Sequence, residues 1–387
     1  MKVNLLPKMV CLVTTLAVVA LAPALLGQAE SGSDQPSSET NKSWRSQTEQ
    51  QNPAGNVNPT RTRETHSESG GHAVDKQVVE RLGLDGRYEP YLDIEKESVK
   101  VNATTVRTIE RTFGRDPSGQ KTLIQQTEQE THTLPGGGQK AVRTTSNPDA
   151  NGRLQIVNRE IQETRQVSSG VRETNTTLLN PDVNGGFTPV MRTQHRETRN
   201  NDRVVEFQKS TLVPDGNGNW QVSEVRQGVV KEESDKSRSK EERILRPDLE
   251  GKLALSERTV SKESETALGE KRGTVETYST RLPGTSEDGS LHLNQRVTTV
   301  RRLRSNGGQG TEEQVEQRSP TAPNDSIRVT QKTIDIVRPT ADGGAEAQRT
   351  ILSTDSTGSL GVVWVDTTKS SGTPAVKIDT ATPPKPK

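Results

Sequence analysis

From residue 101 to residue 370 the apolar residues come in pairs two positions apart, a spacing that puts both members on one face of a β-strand. Leu154/Ile156, Phe187/Pro189, Trp220/Val222, Leu253/Leu255, Leu291/Leu293 and Leu360/Val362 each stand second and fourth after a fixed point in the chain. That point is a glycine closing a short motif: Asp116-Pro117-Ser118-Gly119, Asp149-Ala150-Asn151-Gly152, Asp182-Val183-Asn184-Gly185, Asp215-Gly216-Asn217-Gly218 and Asp248-Leu249-Glu250-Gly251. The five glycines are thirty-three residues apart. A longer unit then places Gly289, Asn324-Asp325 takes the next equivalent point ahead of Ile327/Val329, and Asp355-Ser356-Thr357-Gly358 ends the series. Self-similarity at a fixed period of this length marks a repeat architecture.

The motif has the chemistry of a hairpin turn. Aspartate at the first position accepts backbone hydrogen bonds, and glycine at the fourth tolerates the left-handed conformation of the closing bulge. Pro148, Pro181, Pro214 and Pro247 sit just before it, where they end the incoming strand. A second set of turn signals falls midway between: Pro135-Gly136-Gly137-Gly138, Ser168-Ser169-Gly170, Asn200-Asn201-Asp202, Gly269 to Gly273, Asn306-Gly307-Gly308 and Asp342-Gly343-Gly344. Two turns per unit leave strands of roughly eleven residues, about 40 Å long. Beyond the apolar pairs, Arg159, Arg192, Arg258 and Arg296 recur at the seventh place. Ile161 and Val260 fall on odd offsets, so the strand either bulges there or exposes both faces. Lys121 breaks the pattern where a large apolar residue is expected.

The fold expected from these signals is all-β: tandem antiparallel hairpins over residues 101–370, forming an extended meander in a single-layer sheet. Eight units give about sixteen strands. A lone hairpin is marginal in water, so each unit gains its stability from its neighbours.

The flanks read differently. Lys2 and Lys8, an apolar run from Met9 to Leu26, and small residues around Gly27-Gln28-Ala29 make residues 1–29 a secretory signal peptide. Residues 30–75 are polar and read as a disordered linker. Residues 76–100 read as a short helix, capped by Asp75 and ended at Gly83, followed by a lead-in strand. The Pro- and Lys-rich residues 371–387 read as a flexible tail.

Composition narrows the function. Hydrophobic residues make up 27% and aromatics 2% of the chain, against about 45–50% apolar in a typical domain. A thick two-layer core is excluded on that count. The 52 basic and 51 acidic residues leave a net charge of +1, which is not the footprint of a nucleic-acid binder. Cys11 is the one cysteine and lies in the signal segment, so disulfides and cysteine-based metal sites are not expected.

No nucleophile motif or phosphate loop appears, and Gly136-Gly137-Gly138 lacks a following Gly-Lys-Ser/Thr. Asp215-Gly216-Asn217-Gly218-Asn219 has the alternating oxygens of a calcium loop, but no bidentate glutamate arrives at a fixed distance, so the motif reads as a structural turn. His66, His72, His132, His195 and His292 show no metal-ligand spacing. Catalytic, cofactor and metal residues are therefore none. The expected role is a non-catalytic secreted, periplasmic or cell-surface scaffold or multivalent binding surface. Its candidate partners are envelope polysaccharide or another surface protein, with no part of the mature chain spanning a membrane. The alternatives are an outer-membrane β-barrel and a largely disordered envelope protein. A barrel needs an apolar band and aromatic girdles, and three each of Trp, Tyr and Phe weigh against it.

Overall fold

The computed structural model describes residues 40–51, 57–83, 85–116, 118–234, 236–280, 291–304, 307–318, 327–340, 344–355 and 358–371. They belong to one compact unit, Ser38–Lys387. The signal segment, Gly289, Asn324-Asp325 and the C-terminal tail lie outside the described residues.

Among the described residues twenty β-strands follow one another in sequence, each antiparallel to its neighbour. They are β1 (Thr40–Gln51), β2 (Val57–Ser69), β3 (His72–Leu82), β4 (Tyr88–Lys100), β5 (Thr105–Arg115), β6 (Lys121–Thr133), β7 (Gln139–Pro148), β8 (Leu154–Ser168), β9 (Val171–Pro181) and β10 (Phe187–Asn201). The second half comprises β11 (Val204–Pro214), β12 (Trp220–Ser234), β13 (Ser237–Pro247), β14 (Leu253–Glu265), β15 (Lys271–Ser279), β16 (His292–Leu303), β17 (Gln309–Gln317), β18 (Arg328–Pro339), β19 (Ala345–Thr354) and β20 (Leu360–Ser371). One 3-10 turn at Pro135–Gly137 is the sole helical element among the described residues, and none of their helices is long and apolar enough to cross a membrane.

The all-β hairpin meander is what the repeat implied; its open, extended form is not. β1 pairs with β20 over seven residues, from Arg45↔Ser371 to Gln51↔Val365, and closes the sheet on itself. Closure removes the two free edges that an open sheet would leave to aggregate. The physical reason lies in the segment expected to be linker: residues 40–51 and 57–69 form β1 and β2. Their polar side chains do not prevent a ladder, because strand pairing is made by backbone groups. Asp75–Leu82, expected as a short helix, lies within β3, paired with β2 and β4. Its Val74/Lys76/Val78 face alternates with Asp75/Gln77/Val79, and period two suits a strand.

The Asp-x-x-Gly motif builds one rim of the ring. In each described copy the aspartate N–H donates to the carbonyl four residues on, as in Asp149 to Arg153 at 2.8 Å, and the glycine N–H returns to the aspartate carbonyl, 2.9 Å for Gly152. Gly152, Gly185, Gly218 and Gly251 have φ of 77°, 80°, 83° and 78°, the left-handed bulge expected of the motif. The opposite rim carries the midway turns, such as Gly70-Gly71, Ser169-Gly170 and Asp202-Arg203, together with the start of β1 and the end of β20.

Gly185 has no atom within 4 Å of where a Cβ would stand, so a side chain there meets strain rather than collision. Gly185→Val should cost about 1–3 kcal/mol, visible as a lower denaturant midpoint and faster proteolysis at the 182–186 turn. Unchanged protease resistance would contradict the turn geometry.

Candidate functional site

With the sheet closed, any function lies in the two faces of its wall, and the repeat determines what each face carries. Five residues after each turn glycine, one residue drops out of register. Tyr91, Ile124, Val157, Val190, Ser223 and Ser256 are these bulges, again thirty-three apart. Asn294, Thr330 and Val363 continue the row. A bulge sets two residues opposite one and inverts the parity of everything after it. The second, fourth, seventh and ninth positions therefore share a face. Leu154, Ile156, Arg159 and Ile161 stand opposite Pro148, Ser146, Thr144 and Val142. In the following units Phe187, Pro189 and Arg192 oppose Pro181, Leu179 and Thr177, and Trp220, Val222 and Val225 oppose Pro214, Leu212 and Ser210. Leu253, Leu255 and Arg258 oppose Pro247, Leu245 and Arg243. The odd offset of Ile161 and Val260 is thus the bulge and not an exposure of both faces.

Face 1, which carries these residues, has an apolar belt beside the Asp-turn rim. The belt is about 10 Å deep along the strands and runs through most strands from β3 to β20, with breaks at Lys121 and Glu316. Directly beyond it the seventh position is a cation in five units, Arg159, Arg192, Arg258, Arg296 and, on β18, Lys332, and Asp93, Gln126, Val225 and Val365 in the others. Two of the cations lie over the belt's aromatics. The Arg159 guanidinium is 4.1 Å from the Phe187 ring centre and Arg192 is 4.2 Å from that of Trp220, contacts worth about 0.5–1 kcal/mol each at exposed sites. The other cations are matched by glutamates on neighbouring strands: Arg258 Nε donates to Glu241 at 3.1 Å, Arg296 Nε to Glu276 at 2.9 Å, and Lys332 Nζ lies 2.8 Å from Glu312. Where Lys121 replaces the apolar residue, its ammonium stacks 4.1 Å from the Phe113 ring centre and pairs with Asp93 at 3.1 Å. Asp93, 7% exposed, also accepts from Arg115 Nη2 on both carboxylate oxygens, at 2.9 and 3.0 Å.

Face 2 at the same depth is more polar, although Val79/Leu92, Leu178/Met191 and Ile351/Trp364 form apolar pairs on it. Gln155 and Asn158, Thr188 and Thr193, Gln221 and Glu224, and Glu257 and Thr259 lie there, on the alternate side of each register. Glu224 accepts from Arg226 Nε at 2.6 Å and from Arg246 Nη2 at 2.9 Å, and Asp335 from Arg349 Nε at 2.7 Å. Some of these charges are paired across strands, as Arg246 with Glu224 and Arg349 with Asp335, an arrangement that stabilises a sheet by roughly 0.2–1 kcal/mol per pair.

At the rim, the turn aspartates spend one carboxylate oxygen on their own backbone. Asp215 Oδ1 accepts the N–H groups of Asn217 and Asn219, both at 2.8 Å; these bonds hold its carboxyl below the ordinary carboxylate range. Asp149 is held low in the same way by the N–H groups of Arg153 and Asn151. An oxygen engaged by two amides belongs to the turn, in keeping with the structural reading of the Asp215 loop. Among the described residues no group of His, Cys, Asp and Glu is arranged to hold a metal ion. His66 pairs with Asp75 at 2.5 Å and His72 with Glu97 at 2.9 Å, two neighbouring pairs on β2 to β4. No site converges on them.

No family model matches the chain, and no curated protein matches it. Among solved structures it is similar to OccK3 (OpdO) of Pseudomonas aeruginosa, at 11% identity over 86% of this chain and 95% of that one, with a TM-score of 0.42. OccK5 (OpdH) of the same organism gives 7% identity, 87% and 97% coverage and a TM-score of 0.43. The alcaligin outer membrane receptor FauA from Bordetella pertussis gives 11%, 87%, 76% and 0.33. Likeness of this degree assigns no family.

The expected secreted scaffold, with long open faces for multivalent contact, is corrected by ring closure. The β1–β20 ladder turns one of those faces inward, and the thirty-three-residue unit is one section of a single wall, not a free-standing binding module. Much of the stretch expected to be disordered supplies the closing strands. The one sequence signal for this outcome was the count of long strands in sequence order, which suited a barrel numerically.

Proposed function

We propose that the protein is an outer-membrane β-barrel of the bacterial envelope enclosing a polar, water-filled lumen, and that it acts as a non-enzymatic conduit. The observation that carries this reading is the closure of an even-numbered, all-antiparallel sheet through β1 and β20. Outer-membrane barrels of single chains have even strand numbers, and rings of this size leave an aqueous channel where smaller ones are filled by side chains. The signal-peptide pattern supplies an export route. Strands of nine to fifteen residues reach the ~9–11 that a tilted strand needs to cross a bilayer.

One physical feature weighs on the other side: the apolar belt is about 10 Å deep, against an outward apolar band of about 25 Å in typical barrels. A membrane test is therefore the decisive one. The mature protein is expected to remain with the outer membrane through high-salt and carbonate washes, to dissolve only in detergent, and to give stepwise conductance in planar bilayers. Release by salt alone, with no conductance from the detergent-free protein, would overturn the reading.

A further inference from the structure

The register shows two unlike faces but leaves open which of them is outermost, and the belt decides it by chemistry. We propose that face 1 is the outer surface of the barrel, that lipid acyl chains cover its apolar belt, and that Arg159 and Arg192 at its border meet the phosphate headgroups. This rests on the outer-membrane reading above and adds to it the assignment of each face.

Three features point to lipid as the occupant. The belt follows the closed wall through most of its circumference, so a protein partner would cover only a sector, whereas a fluid layer covers all of it. Facing a water-filled lumen, the belt would stay wet at a cost of about 25 cal/mol per Å² of apolar surface; several of its members, Leu154, Leu253 and Leu360 among them, are 40–44% exposed in the bare chain. Arg159 and Arg192 lie over Phe187 and Trp220 at the belt's border. Such a border sets a cationic head beside an aromatic ring, and the Arg192–Trp220 pair in particular suits the headgroup level of an anionic membrane surface. Face 2 carries more Thr, Gln and paired charges at the same depth than face 1, interrupted by Leu178/Met191 and Ile351/Trp364, and is the better suited of the two to water.

The chain carries its own probes. Trp220 stands on face 1 opposite Pro214, and Trp364 stands on face 2 opposite Ile351. Two single-tryptophan proteins, Trp44→Phe/Trp364→Phe and Trp44→Phe/Trp220→Phe, are reconstituted into vesicles of brominated phosphatidylcholine with a minor phosphatidylglycerol fraction. Trp220 should lose about half its emission relative to unbrominated vesicles, whereas Trp364 should be untouched by bromine and quenched by iodide. Neighbouring positions give an independent readout: a polarity-sensitive thiol label on Leu253→Cys should blue-shift in vesicles, and the same label on Ala254→Cys should not. Bromine quenching of Trp364 in place of Trp220 would overturn the face assignment and leave the membrane barrel standing. Protein that floats with the vesicles but shows neither quenching would likewise overturn it. Failure to float with vesicles at all would remove the membrane reading itself, and the face assignment with it.

Discussion

A chain carrying Thr48→Cys and Thr368→Cys should form an intramolecular disulfide on mild oxidation, in high yield and at low protein concentration. Thr48 and Thr368 are register partners in the β1–β20 ladder, and directly opposed strand positions place Cα atoms about 4.5–5.5 Å apart, within the range a disulfide spans. In an open meander the same residues would stand nineteen strand spacings apart, on the order of 90 Å. The bond would close a loop of more than three hundred residues, and chain-entropy arguments give such a loop about 6 kcal/mol. The product is a covalent ring, with faster migration on denaturing gels that reductant reverses. Thr48→Cys/Thr60→Cys, partners in the β1–β2 hairpin, serves as the positive control in either architecture. Cross-linking of the hairpin pair without the Thr48/Thr368 pair would mean the sheet is open.

The second large effect is expected at Gly228, in mid-strand on β12. It stands between Phe207 of β11 and Glu242 of β13, and the Phe207 ring covers it. A Cβ at this position would fall 2.7 Å from Phe207 Cζ and 2.9 Å from Cε1, and it would also press on the main-chain oxygen of Glu241. Rotating Phe207 relieves only the first contact; the second requires the ladder to move. Gly228→Leu should therefore cost about 3 kcal/mol or more, near the upper end for overpacking, and Gly228→Ala somewhat less. Adding Phe207→Ala should recover only part of the loss, because the backbone contact persists. Denaturant midpoints of the three variants test this, and a Gly228→Leu protein as stable as the parent would show that β12 and β13 are not paired in this register.

Much of the wall was legible because its signals are local. The turn geometry at 149–153 or 215–219 depends on five consecutive residues, and an aspartate, its amides and one glycine are sufficient to specify it. The proline before each motif and the paired apolar residues after it then fix where strands begin and which residues share a face near the turn. Gly152, Gly185, Gly218 and Gly251 have the positive φ that the motif demands. The parity change after the fourth position was visible in Ile161 and Val260. Its cause was not, because a bulge is defined by the partner strand: Val157 is the extra residue only because Ser146 and Thr145 pair with Ile156 and Asn158.

The calcium-like spacing of Asp215-Gly216-Asn217-Gly218-Asn219 shows the reverse case. Composition offers the oxygens there, and the fold engages Oδ1 of Asp215 with two amides of its own turn. The paucity of aromatics weighed against a barrel because the count was spread evenly over the chain. The register instead gathers Tyr88, Phe113, Phe187, Trp220 and Tyr278 on face 1, near one rim. Such a grouping comes from many strand pairings at once.

The sequence by itself determined the all-β class, the hairpin unit, the turn chemistry and the order of strands, since each is written within thirty-three residues and enforced by backbone sterics. Closure was decided only by the tertiary structure. Thr48 meets Thr368 across almost the whole chain, in segments whose side chains carry no periodic signal, through a ladder of backbone bonds that any sequence without an intervening proline can make. Closure also gives the two faces different surroundings, because only a ring has an inside. The contrast between an apolar belt on one face and a more polar opposite face, latent in most repeats, acquires its physical meaning there.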